Sequence, residues 1–310
     1  MIEIKNLHKC FGNRVAVNGV SFVVRKGEVL GFLGPNGAGK STTMRMITGF
    51  LLPTSGSVLV GGIDVSRKPI KVQRVLGYLP ENAPVYPDMT VSGFLDFIAE
   101  IRGLYGRKKT FMVDKILDSC FLNGVRQQVI NTLSKGFKQR VCFAQSIIHD
   151  PEYLVMDEPT DGLDPNQKHE VRSMIKAMSG KKVIILSSHN LEEVDAVCTR
   201  AIIISEGTIV VDDTPDGIRQ RSKIHGAVVV SLSITEKEKF ISAMGNLHYS
   251  PEILCSDNKE LTFRLKVNSE ENNATLIRQM VDSGVNFTGI NIEKGRLDEV
   301  FRSVTTGGNA

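Results

Sequence analysis

Gly34-Pro35-Asn36-Gly37-Ala38-Gly39-Lys40-Ser41 decides how the rest of this chain is read. The stretch fits G-x-x-x-x-G-K-[ST], the Walker A loop that joins a strand to a helix and cradles phosphate. Both flanks agree with that reading. Glu28-Val29-Leu30-Gly31-Phe32-Leu33 is apolar and predicts a buried strand, while Ser41–Thr48 predicts the start of a helix. Gly34, Gly37 and Gly39 let the backbone adopt positive φ and approach a ligand closely. With Pro35, Asn36 and Ala38 between them and Thr42 just beyond, they build an anion nest at a helix N-terminus. Lys40 can reach the β- and γ-phosphates of a nucleotide, and the Ser41 hydroxyl can ligate Mg²⁺.

Working outward, 310 residues are enough for a large core and two domains, and 41% hydrophobic with 23% charged residues is ordinary globular composition. A net charge of +4 is too small to argue for a nucleic-acid partner. The five cysteines, Cys10, Cys120, Cys142, Cys198 and Cys255, are scattered and form no C-x-x-C pair, which points to reduced thiols and a cytosolic setting. The first residues lack the apolar core of a signal peptide. Apolar runs such as Val183–Leu186 and Ala201–Ile204 are too short to cross a bilayer, so membrane work would need another chain.

Before the loop, residues 2–30 have strand patterning broken by turns at Gly12-Asn13 and Lys26-Gly27. After it come a hairpin near Val58–Val65 and a strand Val75–Leu79. A helix over Thr90–Tyr105 is expected to align Phe94, Ile98, Ile101 and Tyr105, and another covers Thr110–Cys120. This helical block, residues 88–150, interrupts an α/β pattern that resumes with strands Tyr153–Met156 and Val183–Ser187. Helices Lys168–Met178 and Leu191–Cys198 and the hairpin Ala201–Val211 complete it. A basic stretch, Arg219–Gly226, reads as a linker. Beyond it the order βαββαβ suggests a small ferredoxin-like domain, closed by a helix over Arg296–Val304.

Asp157 and Glu158 follow four apolar residues, Tyr153–Met156, so they stand at the C-terminal end of a buried strand, where open α/β sheets bind ligands. Asp157 would hold Mg²⁺ directly or through water, and Glu158 would polarise an attacking water. A paired carboxylate at a strand end could also just cap the next turn, a reading that the Walker A loop upstream opposes. His189 ends the next strand and could sense a γ-phosphate or be structural. Phe11 could stack on a base or be a loop aromatic. Ser134 suits a helix N-cap.

GPNGAGKS, LSKGFKQR, YLVMDEPTDGLDP and SSHNLEEV, in that order, resemble the ATP-binding cassette of ABC transporters over residues 2–218. The fold implied is an α/β P-loop NTPase with a mainly parallel core sheet, an antiparallel β portion and the inserted helical subdomain. Residues 219–310 would be a small α+β accessory domain. By the same resemblance Leu133–Phe137 is the signature motif, usually LSGGQ, with Lys135 and Phe137 as departures. Ser134 and Gly136 would touch the γ-phosphate bound by the opposite subunit. Phe11 matches the adenine-stacking aromatic. Glu81 stands where a glutamine is usual and offers oxygen to Mg²⁺. Asp164 matches an aspartate that orders the dimer interface. YLPENAPVYPDMTV and a terminal Leu297-Asp298-Glu299-Val300-Phe301 resemble the exporter branch that includes gliding-motility and multidrug ATPases.

The resemblance implies an ATPase using ATP and Mg²⁺ that forms a homodimer, sandwiches two nucleotides and drives a membrane-spanning permease from the cytoplasmic face of the membrane as a peripheral subunit. A soluble cassette protein acting on ribosome or DNA is the alternative, although such proteins usually join two cassettes or insert long coiled coils. A small-molecule kinase is a further rival, opposed by the signature stretch and His189.

Overall fold

The computed structural model describes residues 1–81, 85–246, 251–256, 260–265 and 273–306. The chain divides into a unit of Met1–Pro215, with Val304 and the residues just after it, and a unit of Asp216–Ser303.

The first unit opens with a long hairpin, β1 (Ile2–Phe11) and β2 (Arg14–Val24), then β3 (Val29–Leu33) and helix α1 (Lys40–Ile47). Next come β4 (Ser55–Val60), β5 (Ile63–Asp64), α2 (Pro69–Val75) and β6 (Leu76–Leu79). Residue 75, expected to open a strand, instead ends α2: Val72 is buried as a helical side chain and Pro69 starts the turn. The helical block holds α3 (Val91–Ile101), α4 (Gly106–Ser119) and α5 (Lys135–Ile147), after which β7 (Tyr153–Asp157), α6 (Pro165–Ser179), β8 (Val183–Ser188) and α7 (Leu191–Val197) alternate. The hairpin β9 (Arg200–Ser205) and β10 (Thr208–Asp213) follows; the short α8 (Pro215–Arg219) starts at the last residue of this unit's main segment and belongs otherwise to the second unit.

Two sheets organise this unit. A four-stranded antiparallel sheet runs β2-β1-β4-β5, and a six-stranded sheet runs β10-β9-β3-β8-β7-β6. In the second sheet β9, β3, β8, β7 and β6 are parallel, and β10 is an antiparallel edge. Every residue of β3, β7 and β8 is buried, as expected where both faces of a parallel sheet are covered. One face packs against the hairpin sheet through Ile2, Ile4, Val17, Phe32, Met44 and Ile185, with the Phe22 and Phe32 rings 5.5 Å apart. The other packs on the helical block through Phe94, Leu95, Leu117, Phe143, Met156 and Leu186.

Helix α3 is shorter than its sequence suggests. Thr90 caps it, accepting from the Gly93 N–H, and it ends at Ile101. Its buried face is Val91, Phe94, Leu95 and Ala99; Ile101 and Tyr105 are 63% and 68% exposed. The expected alignment fails because Gly103, at φ +79, breaks the helix and Tyr105 becomes the N-cap residue of α4.

The second unit has the order β11 (Val228–Ser233), α9 (Lys237–Asn246), β12 (Glu252–Ser256), β13 (Glu260–Leu265), α10 (Asn273–Asp282), β14 (Phe287–Ile292) and α11 (Leu297–Thr305). Its antiparallel sheet runs β12-β13-β11-β14, which is the ferredoxin-like arrangement. Alternate residues Val228, Val230 and Leu232 join Phe240, Phe263, Leu276 and Met280 in its core. Most of the turn expected at Ser256-Asp257-Asn258 lies outside the described residues.

Candidate functional site

The site forms where β3, β7 and β8 end. These parallel neighbours are in register, with Leu33 beside Ser188 and Asp157 beside Ser187, so the chain segments after each strand emerge at one edge of the sheet. There they border a cavity of about 640 Å³.

The glycine loop forms one wall. Gly37 and Gly39 have φ of +81° and +107°, so both use the freedom expected of them. Gly34 does not. It is required for space, because a Cβ there would lie 2.5 Å from the Ile204 carbonyl oxygen. Asn36, Gly37, Gly39, Lys40, Ser41 and Thr42 line the cavity, whereas Gly34, Pro35 and Ala38 do not; Gly34 and Ala38 are buried and Pro35 is exposed. Lys40 is 7% exposed, and its Nζ donates to the Gly34 carbonyl at 2.7 Å and to Pro35 at 3.3 Å. Burial lowers its pKa, while the carboxylates of Glu158, Asp157 and Glu81 pull the other way. The ammonium is thus tied to its own loop and surrounded by negative charge.

Glu158 and His189, assigned separately from the sequence, prove to be partners. His189 Nδ1 lies 2.9 Å from Glu158 Oε2, and the Glu158 side chain is 12% exposed against 58% for His189. Glu158 holds φ +49, an unusual conformation for a glutamate, fixed by its N–H donating to the Ser187 carbonyl at 3.1 Å. Both line the cavity, and so do Phe11 and Glu81. Asp157 is 2% exposed and does not line it; its Oδ1 accepts from the Ser187 hydroxyl.

Three residues border the cavity that the sequence reading passed over: Arg14, Ala16 and Asp161. The turn carrying His189 is also supported from within. Glu193, 1% exposed, accepts from the Ser188 hydroxyl at 2.6 Å, and that hydroxyl accepts from Asn190 N–H at 3.0 Å. Burial raises the Glu193 pKa, partly offset by its hydroxyl partners.

Ser134 and Gly136 stand apart from this cavity. Ser134 is the N-cap residue of α5, its hydroxyl accepting from Phe137 N–H at 3.4 Å. A Cβ on Gly136 would come within 2.3 Å of the Gln167 amide group, the flexible end of that side chain, which would have to move aside. The two departures from the usual signature each find a place. Lys135 Nζ is 3.5 Å from Asp161, and the Arg140 guanidinium stacks 4.9 Å from the Phe137 ring. Asp164 caps α6, accepting from Gln167 N–H at 2.9 Å.

The oxygen donors near the nest, Ser41 and Glu81 on the wall and Asp157 behind it, suit a hard cation such as Mg²⁺. Among the described residues no cluster of three or more His, Cys, Asp or Glu is arranged to hold a metal by itself.

A glycine loop at a helix N-terminus, a carboxylate–histidine pair and a separate capped glycine turn suit a nucleotide-hydrolysing cassette, and comparison with known proteins specifies the family. Residues 17–161 match the family model described as ABC transporter. The chain is 30% identical over 305 residues to an uncharacterized ABC transporter ATP-binding protein, YxlF, of Bacillus subtilis (strain 168), covering 98% of this chain and 99% of that one. It is 28% identical over 310 residues to the linearmycin resistance ATP-binding protein LnrL of the same organism, covering 98% of each. A solved structure of an ATP-binding subunit of an ABC transporter aligns with TM-score 0.66 and 29% identity, over 71% of this chain and 92% of that one. The chain belongs to the ATP-binding proteins of ABC transporters and is an ATPase of that family.

Proposed function

We propose that this chain is the motor subunit of an exporter, working as a head-to-tail homodimer around two ATP molecules with Mg²⁺. The observation carrying this reading is the division of the site. Lys40, Ser41, Glu158 and His189 share one cavity, while the Ser134–Gly136 turn, a helix N-terminus suited to an anion, does not line it. A second copy facing the first would bring its Ser134 and Gly136 to the γ-phosphate. The role of each residue follows. The nest and Lys40 bind the phosphates, and Phe11 stacks on the base. Mg²⁺, held by Ser41, Glu81 and Asp157, would neutralise phosphate charge. Glu158 takes the proton of the attacking water as the bond to the γ-phosphorus forms and ADP leaves, and His189 holds Glu158 and the γ-phosphate in line.

The name of LnrL, a resistance protein, supports export as the direction. The partner would be a permease that supplies the membrane-spanning part; among the described residues no helix is long and apolar enough to cross a membrane. A groove of about 1130 Å³ beside the helical block supports that partnership. Phe50, Ile70, Ile101 and Tyr105 line it with Arg45 and Arg102, offering an apolar floor and basic rims to a short segment of a membrane protein. The assembly then sits on the cytoplasmic face, and residues 219–310 form an accessory domain that supports the dimer.

Glu158→Gln tests the reading. The variant should bind ATP and, unable to hydrolyse it, elute as a dimer in gel filtration with light scattering, with turnover reduced about 10²–10⁴-fold. A variant that binds ATP and stays monomeric would refute the shared site.

A further inference from the structure

Arg14 is a cation of this cavity to which none of the roles above gives work. It opens β2 directly opposite Phe11, across the turn at Gly12-Asn13. Residues paired across an antiparallel ladder project to the same face. The hairpin end therefore presents an aromatic ring and a guanidinium side by side, and both border the cavity. The guanidinium also reaches the glycine loop: its Nη2 lies 3.5 Å from the point a Cβ on Gly37 would occupy. Gly37 is the middle glycine of the phosphate nest.

None of the described residues makes a claim on this side chain. Among the described residues Arg14 has no ion-pair partner and no side-chain hydrogen bond. Arg140 and Arg200, by contrast, are held by Glu170 at 2.7 Å and Asp212 at 2.6 Å. Lys9, the other cation near Phe11, is occupied, donating to the Leu52 carbonyl and lying 5.1 Å from the Phe11 ring centroid.

Charge makes the case stronger. The cavity wall carries three carboxylates, Glu81, Glu158 and Asp161, against Lys40 and Arg14. Lys40 is buried and bonded to its own loop. A polyphosphate entering here meets local negative charge, to which Glu81 adds where the family usually has an uncharged glutamine. A guanidinium fork matches phosphate oxygens two at a time.

We infer that Arg14 is a phosphate-binding residue of this site, gripping the nucleotide's phosphate chain from the hairpin end while Lys40 holds it from the helix. The inference rests on the cavity being where the nucleotide binds. It makes the hairpin end a reader of the phosphate chain as well as of the base.

Calorimetric titration of the full-length protein with ATP and with adenosine tests it, using Arg14→Ala, Arg14→Lys and Lys40→Ala. Arg14→Ala should weaken ATP about tenfold, the scale of one charge-assisted contact, and leave adenosine unchanged. Arg14→Lys should recover part of the loss. The melting temperature without nucleotide should not move, since Arg14 is exposed. Wild-type ATP affinity in Arg14→Ala, with Lys40→Ala impaired, would make Arg14 a solvated surface residue. An equal loss for adenosine would place its effect on the Phe11 ring. Unchanged ATP binding in Lys40→Ala would remove the cavity as the nucleotide site and this inference with it.

Discussion

The cassette unit and the accessory unit are both layered α/β structures, but they use polar residues in opposite ways. In the cassette, polar groups are buried at the ends of parallel strands: Lys40, Asp157, Ser187, Ser188 and Glu193. They converge because parallel strands all finish at the same edge. In the accessory unit the buried strand residues are apolar, and the polar ones on the open sheet face satisfy one another. Ser231 bonds Thr262, and Arg264 reaches both Glu252 and Glu293. An antiparallel sheet with helices on one side supplies no common strand end at which such groups could gather. The cassette is built to hold something charged, and the accessory unit is built to keep its shape.

Core substitution should break this contrast most visibly. Phe263→Ala removes a fully buried ring packed 4.9 Å from Phe240. It should cost about 3–5 kcal/mol of stability, seen as an early unfolding transition in calorimetry, while ATP binding by the cassette persists. Simultaneous loss of both would show that the two units do not unfold separately.

A smaller effect should sharpen the contrast from the cassette side. His149 is half-buried at the foot of α5; its Nε2 lies 3.3 Å from the Leu76 carbonyl, and its Nδ1 has no partner among the described residues. Burial, then the nearby Arg102 charge, lowers its pKa from 6.5 to about 4. The unfolded chain therefore binds the proton more readily than the folded one. Stability is full above pH 6.5 and is lost as pH falls from there towards 4. His149→Gln should flatten that part of the melting-temperature profile, and an unchanged slope would assign acid sensitivity elsewhere.

Much of this was legible from the chain, and what was not has a common cause. The glycine loop was readable because its chemistry is local: glycines, lysine and serine act within one turn. The carboxylates at the end of β7 were readable because an apolar run followed by charge marks a strand end. The Glu158–His189 pairing was not, since it depends on the register between β7 and β8. Arg14 escaped notice because it becomes part of the cavity only when the β1–β2 hairpin folds opposite Phe11. Ile101 and Tyr105 were misplaced because an apolar stripe at helical spacing looks the same whether it faces a core or an open groove, and Gly103 decides between them.

The central claim is that one copy supplies the nest and Glu158 while the other supplies Ser134. Mixing Glu158→Gln with Ser134→Ala before adding ATP tests it most directly. Each variant alone should be nearly inactive in phosphate release. In a mixed dimer one site carries both lesions and the other carries neither, so random pairing should restore about a quarter of wild-type turnover, as expected when intact sites alone contribute. If the mixture is no more active than its components, Ser134 serves the cavity of its own chain and the shared-site account is wrong.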